Sequence, residues 1–352
     1  MKIGIMKKTV IVFSLLFISV LAFSQDRNFT QFYASPLTFN PALTGAFEGK
    51  HRVIMNYRNQ WQSILPDPFT TTGVSFDMNF KPYRIQTSPD KFGVGLTFFK
   101  DQAGPGEYTT NQMAFSGAFH KALDRYGDHY LSGGFQFGIN QKTLTYDDLT
   151  FNDQFNGSTG YVLGTGENLP QNSFAFGDLT AGLQWSLSPR DRMLIYAGLA
   201  VHHITRPDVS FYQLDDAISL ESRLHTKFVG HFGLQLPVSE KVSLQPRIMT
   251  YIQGAHVEIN TGANLAFKVS DYNDTNVILG GWFRPVTDIE DSYNLDAAVI
   301  LVGFQTTGLQ FGISYDVNVS NLSNATNGRG ALEFSAMYIG NYENESVICP
   351  TF

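Results

Sequence analysis

What constrains this chain most is an alternation of apolar and polar residues that returns along nearly its whole length. In "VEINTGANLAFKV", Val257, Ile259, Thr261, Ala263, Leu265, Phe267 and Val269 fall on one face, and Glu258, Asn260, Gly262, Asn264, Ala266 and Lys268 on the other. "GLQFGISYDVN" repeats it, with Leu309, Phe311, Ile313, Tyr315 and Val317 opposite Gln310, Gly312, Ser314, Asp316 and Asn318. The same split holds around Val74, Phe76, Met78 and Phe80, around Leu131, Phe135, Phe137 and Ile139, and around Phe228, Phe232, Leu234 and Leu236. A period of two places successive side chains on opposite faces of a β-strand. A soluble sandwich buries its apolar faces against each other and uses strands of about five or six residues. A membrane barrel turns the apolar face to lipid and needs about nine to eleven residues per strand. The runs here have the longer length, and their polar faces are rich in Gly, Asn, Gln and Ser. Charged residues make up 16% of the chain, against about 25% in soluble domains. The pattern predicts an all-β, transmembrane outer-membrane barrel.

Segment counting gives about fourteen antiparallel strands, near 51–60, 71–82, 91–101, 109–122, 129–142, 174–187, 192–204, 224–237, 241–252, 258–268, 275–285, 295–304, 308–317 and 330–339. Barrels of this kind alternate short periplasmic turns with longer external loops. "SPRD", "PVSEK" and "FQTT" fall at even-numbered connections, while the long stretches near 143–173, 205–223 and 318–329 fall at odd ones. That parity predicts both ends of the barrel on the periplasmic side.

The N-terminus reads as a leader. Lys2, Lys7 and Lys8 precede the apolar "TVIVFSLLFISVLAF", and Ala22 and Ser24 set up a cut ahead of Gln25. The expected organisation is a cleaved signal peptide over 1–24, an irregular segment over 25–50, a barrel over 51–339 and a tail over 340–352. The one cysteine, Cys349, leaves no intrachain disulfide to form. The net charge of -7 argues against nucleic-acid binding.

Motifs that carry chemistry are scarce. His202 and His203 end a strand, with His225 and His231 on the next. Adjacent residues of a strand face opposite ways, so this is not a metal spacing. "YDDLTFNDQFNG" over 146–157 clusters oxygens as a calcium loop does, yet lacks the regular spacing and closing Glu of an EF-hand. It reads better as a solvated external loop. No Gly-x-Ser-x-Gly elbow, P-loop, dinucleotide fingerprint or zincin helix occurs. The reading is a non-enzyme without a cofactor.

Before the first strand comes "QFYASPLTFNPALTG", residues 31–45, which has neither period. Pro36 and Pro41 deny strand pairing, Asn40-Pro41 favours a turn, and Gly45 frees the backbone. Phe32, Tyr33, Leu37, Phe39 and Leu43 are too apolar for a free tail. The expectation is a segment that starts on the periplasmic side and tucks into the periplasmic mouth near Arg58 and Asn59.

This stretch, followed by "YRNQW" (Tyr57, Arg58, Asn59, Gln60, Trp61), resembles the N-terminal hallmark of the PorP/SprF family of outer-membrane proteins. That family serves the type IX secretion and gliding-motility systems of Bacteroidetes. Further similarity follows in order: "FKDQAGPGEY" with Asp101, Gly104 and Pro105, then "SYDVNVSNL" at 314–322, "GALEFSAMY" at 330–338 and a tail ending "CPTF". The insertions near 153–173 and 205–223 are long for the family. Phe352 resembles the terminal aromatic read by the barrel-assembly machinery, but follows a tail beyond the last strand.

The resemblance implies a non-enzymatic component that helps secrete and anchor a large surface adhesin. Its client would carry a type B C-terminal domain. Its other partners would be periplasmic ring components of the secretion or gliding apparatus and outer-membrane lipid. Tyr161, Phe211 and Tyr212, on the long loops, are the candidate client-binding residues. The alternative function is a passive outer-membrane channel or hydrophobic-solute transporter.

Overall fold

The computed structural model describes residues 26, 28–81, 89–104, 106–147, 149–190, 192–212, 222–270, 274–287 and 293–340. The leader, Pro105, Cys349 and Phe352 lie outside them. Fourteen strands form one closed antiparallel barrel, each paired with its sequence neighbours. They are β1 (His51–Gln60), β2 (Phe69–Phe80), β3 (Lys91–Ala103), β4 (Tyr108–Ala122), β5 (His129–Thr143), β6 (Ser173–Arg190) and β7 (Met193–His202). After them come β8 (Lys227–Pro237), β9 (Val242–Gln253), β10 (His256–Ser270), β11 (Thr275–Thr287), β12 (Tyr293–Thr306), β13 (Leu309–Asn318) and β14 (Arg329–Gly340). The seam pairs β1 with β14, from His51 opposite Gly340 to Gln60 opposite Ala331. Among the described residues no helix is long and apolar enough to cross a membrane. Each segment read from the alternation is a strand.

The two faces divide as a barrel in lipid requires. Phe135, Phe137 and Ile139 of β5 are exposed on the outside, as are Leu199, Ile300 and Phe283 on other strands. The inward positions carry Arg52, Asn56 and Arg58 of β1, Ser75 and Asp77 of β2, and Glu333 and Ser335 of β14, all buried. The short connections 191–192, 238–241 and 307–308 lie at one end, with the β1 start and the β14 end. The long ones, 144–172 and 203–226, lie at the other. Two ladder irregularities fall at inward charges: one between Arg284 and Pro285, the other between Asp316 and Val317. Proline has no N–H to give the ladder, so a bulge at Pro285 is where its strand tolerates it.

Residues before β1 occupy the lumen, and here the expected position needs correcting. The segment does reach Arg58, but it starts at the loop-bearing end instead of the periplasmic mouth. The Asp26 N–H donates to Gln253, and the Lys227 ammonium to Asn28, both partners at loop-side strand ends. Farther down, Gln31 reaches Ser314 and Ser335 at mid-barrel. The Lys50 N–H finally bonds the Gly340 carbonyl at the periplasmic end. The segment therefore runs the length of the lumen. The reason is chemical: a barrel this wide encloses space that must be filled or flooded. The segment brings both an apolar filling and polar groups that meet the wall.

Short helical turns break the segment into compact pieces, at Phe32–Ala34, Pro36–Phe39 and Pro41–Leu43. Pro36 and Pro41 stand at first helical positions, where the absent N–H costs nothing. Phe32, Phe39 and Leu43 form the core with Met249, Tyr251, Trp282 and Val299 of the wall. Phe32 meets Trp282 edge-on at 5.7 Å and Tyr33 stacks on it at 5.6 Å.

Candidate functional site: the occupied lumen and the loop face

Three sets of residues hold the segment, and the first is its own turn. The Asn40 side chain accepts the Ala42 N–H at 2.9 Å, as an N-cap does, and donates to the Leu183 carbonyl at 3.1 Å. Thr44 Oγ1 bonds Ser116 Oγ at 2.9 Å, and the Gly45 N–H donates to Asp77 at 2.8 Å. Asp77 is in turn gripped by both Nε and Nη2 of Arg52, at 3.0 and 2.7 Å. The backbone here lies directly on the wall. A Cβ at Gly93 would stand 1.9 Å from the Thr44 oxygen, and one at Gly134 2.4 Å from the Pro41 oxygen. Gly45 itself has φ +75, a conformation that favours glycine. Asn40, Pro41 and Gly45 thus all lie at one contact between segment and barrel.

The second set lies toward the loop end. Arg58 donates to Asp316 at 2.8 Å and to Glu333 at 3.2 Å, and Arg284 donates to Asp316 at 2.9 Å and Asp296 at 3.0 Å. Into this network the segment inserts Thr30 and Gln31, whose N–H groups donate to the two Glu333 oxygens at 2.9 and 2.8 Å. The Thr30 hydroxyl contacts Arg58, Arg284 and Asp316. Because every charge has an opposite partner and further hydrogen bonds, burial is tolerated. Removing one member strands the others.

The third set is at the rim. His203 offers Nε2 to Asp26 at 2.6 Å and Nδ1 to Asp178 at 2.9 Å. A neutral imidazole can donate from only one nitrogen. Burial lowers the His203 pKa, but the Asp26 charge and the hydrogen bonds to both carboxylates outweigh it and raise the value to about 9. His202 and His203 both point inward, against the expectation of opposite faces. His203 has φ 56, which breaks the alternation just after β7 ends. His202 bonds the Phe39 carbonyl at 3.0 Å. Of the other histidines, His231 bonds Gln184, and His225 precedes β8.

The remaining residues singled out in the sequence gather at the loop end. Asn59 donates to the Tyr57 hydroxyl at 3.3 Å. Gln60 ends β1, and Trp61, with φ 62, packs on Phe69 at 5.4 Å and donates its backbone N–H to the Gly330 carbonyl. Asp101 accepts from Thr71 at 2.6 Å, and Gly104 (φ 69) turns β3 into β4. Tyr161 is exposed and touches Phe155 at 5.3 Å, and beside it Val162 and Leu163 are also exposed. Tyr212 is exposed as well, whereas Phe211 packs on Phe174 at 4.9 Å. In the acidic loop, the Gly166 N–H and the Thr165 hydroxyl bond Asp153 and hold its carboxyl below the usual range. Among the described residues no group of His, Cys, Asp and Glu could hold a metal.

Sequence reading missed Arg284, Asp316 and Glu333 as partners of the segment. The signal was a lone charge at an inward position, clearest for Asp316 among Gln310, Gly312, Ser314 and Asn318 of β13. Asp316 and Glu333 lie within two of the segments that carried the family resemblance.

These features define a transmembrane β-barrel of the outer membrane whose lumen is occupied by its own N-terminal segment. The profile of the family described as type IX secretion system membrane protein PorP/SprF matches residues 21–338. The chain belongs to that family, and so to the membrane components of type IX secretion. No protein of curated function matches it. Among solved structures, it is similar to the Ralstonia pickettii toluene transporter TbuX at 10% identity and a TM-score of 0.48, over 88% of this chain and 94% of that one. It is also similar to CdiB from Acinetobacter baumannii at 8% identity and a TM-score of 0.44, over 82% and 60%.

Proposed function

We propose that this barrel is a closed anchor: it grips a secreted client at the cell surface without conducting it. The client is a large adhesin whose type B C-terminal domain docks on the long loops. Periplasmic components of the secretion or gliding apparatus hold the opposite mouth. The observation that carries the reading is the occupied lumen, since Asp26 and residues between 28 and 50 are bonded to the wall from one end to the other. A chain bound this way leaves the loop face as the place for a client. Tyr161 and Tyr212, exposed there, have the amphipathic bulk that anchors interfaces, with Val162 and Leu163 around Tyr161. Phe211 supports its loop from below.

The test is retention of the adhesin by cells carrying Tyr161→Ala and Tyr212→Ala together, with the barrel band on gels checked for heat-modifiability. Loss of the client from the surface with an intact barrel is expected. Normal retention overturns the loop assignment. Sustained, substrate-dependent conductance of the wild-type barrel in planar bilayers would support the channel reading in its place.

A further inference from the structure

The segment does not fill the lumen evenly. Toward the periplasmic end it lies against β2 to β6, where Thr44 and Gly45 meet Ser116 and Asp77. Opposite it a chamber of about 380 Å³ remains, walled by β6 to β14, Arg52 of β1 and the segment itself. That is the size of pockets that take small organic ligands. Its outer rim includes Arg192, Lys268, Asp274 and Gln305, all at or beside periplasmic strand ends, so the chamber faces the periplasm.

The chamber is cationic and aromatic together. Lys268 pairs with Asp274 at 3.2 Å, and Arg192 bonds the Glu240 carbonyl at 2.7 Å. Deeper in, Arg247 donates Nε to the Tyr196 hydroxyl at 3.0 Å and Nη2 to Gln245 at 2.9 Å. Its guanidinium lies 4.4 Å from the Tyr33 ring centre. Among the described residues no carboxylate pairs with Arg247, and its Nη1 is closed off from water without a hydrogen-bond partner. The half-buried side chain lines the chamber with its positive charge unmatched by a carboxylate, and an anion entering the chamber supplies the missing partner. Phe39, Leu43 and Ile278 supply an apolar wall beside it.

We propose that this chamber is a periplasm-facing binding site for a carboxylate borne on an apolar or aromatic body. The carboxylate pairs with Arg247, and the body lies against Tyr33 and Phe39. Rim cations draw the anion inward. The carboxylate is either that of a free organic acid or that of a polypeptide terminus. The site is independent of the client reading, because it lies at the opposite mouth and uses none of the loop residues.

The experiment is calorimetric titration of the full-length barrel in lipid nanodiscs with N-acetylphenylalanine, its amide, and the tetrapeptide Gly-Gly-Gly-Phe with and without C-terminal amidation. Saturable binding of the acids is expected, about ten-fold or more tighter than of the amides, because a charge-assisted bond is lost on amidation. Arg247→Gln should bring the acids to the level of the amides. Gln305→Glu, which leaves Arg247 untouched, should weaken the acids alone. Tighter binding of the tetrapeptide assigns the site to a polypeptide terminus, and tighter binding of the single residue assigns it to a free acid. Equal binding of acids and amides, or no saturable binding, overturns the proposal. So does unchanged acid binding in both variants.

Discussion

The contact between segment and wall gives the sharpest prediction. Alanine at Gly93 would set a Cβ 1.9 Å from the Thr44 oxygen and 2.6 Å from its carbonyl carbon. Alanine at Gly134 would set one 2.4 Å from the Pro41 oxygen. In both cases the neighbour is backbone, so no rotamer relieves the clash. The segment must lift by about 1–1.5 Å to reach ordinary contact distance. Overpacking of this kind costs about 1–3 kcal/mol per site. The two sites meet one short turn, so they couple, and the double variant should cost about 2–5 kcal/mol. That weakens docking of the lower segment by about 30- to 4,000-fold. The assay is limited proteolysis of the purified barrel, followed by sequencing of the cut near Phe39, with leak conductance in planar bilayers alongside. Gly133→Ala is the matched control, since its Cβ meets only Leu183 at 3.6 Å on the lipid side of the same strand. The double variant should be cut rapidly while the control stays resistant. Equal resistance of the two would refute the claim that the segment is seated on a glycine floor.

Other outcomes follow from the same geometry. Asp316→Asn removes the negative charge shared by Arg58 and Arg284, and loss of one partner of a buried pair costs about 3–5 kcal/mol; the heat-induced gel shift should occur at a clearly lower temperature. The rim latch titrates in the opposite sense to a carboxylate. With the His203 pKa raised to about 9, against about 6.5 in an unfolded chain, its contribution is complete below about pH 6.5 and lost as pH rises through about 9. Proteolysis beside Asp26 should therefore increase between those limits, and His203→Gln should be cut equally at both. Phe135→Arg places a charge on the lipid face, where it costs about 2–4 kcal/mol near the midplane; less folded barrel should be recovered from membranes.

The barrel was legible because its physics is local. Each strand declares its two faces through period two, and parity of loop lengths orders the ends. The segment before β1 was legible as docked, since Phe32, Leu37 and Phe39 are too apolar to be wet. Its direction was not. Nothing in "QFYASPLTFNPALTG" says which end of the lumen it enters, because that depends on Asp26 finding His203 and Gln253, partners more than 170 residues away. The ion network was hidden for a similar reason. Arg58, Arg284, Asp316 and Glu333 lie on four separate strands, and only closure brings them together. His203 misled because one left-handed residue reverses a face, and period two cannot foresee it.

The seam and the segment share a consequence for the wall. Arg58 of β1 stands opposite Glu333 of β14 in the ladder, and Thr30 and Gln31 donate to that same carboxylate. The first and last strands are therefore stitched through the thread that lies between them. The closing pair of strands therefore owes part of its hold to groups that belong to neither strand. Unloading the thread would loosen the closing pair of strands, which couples any opening of the interior to a weakening of the wall.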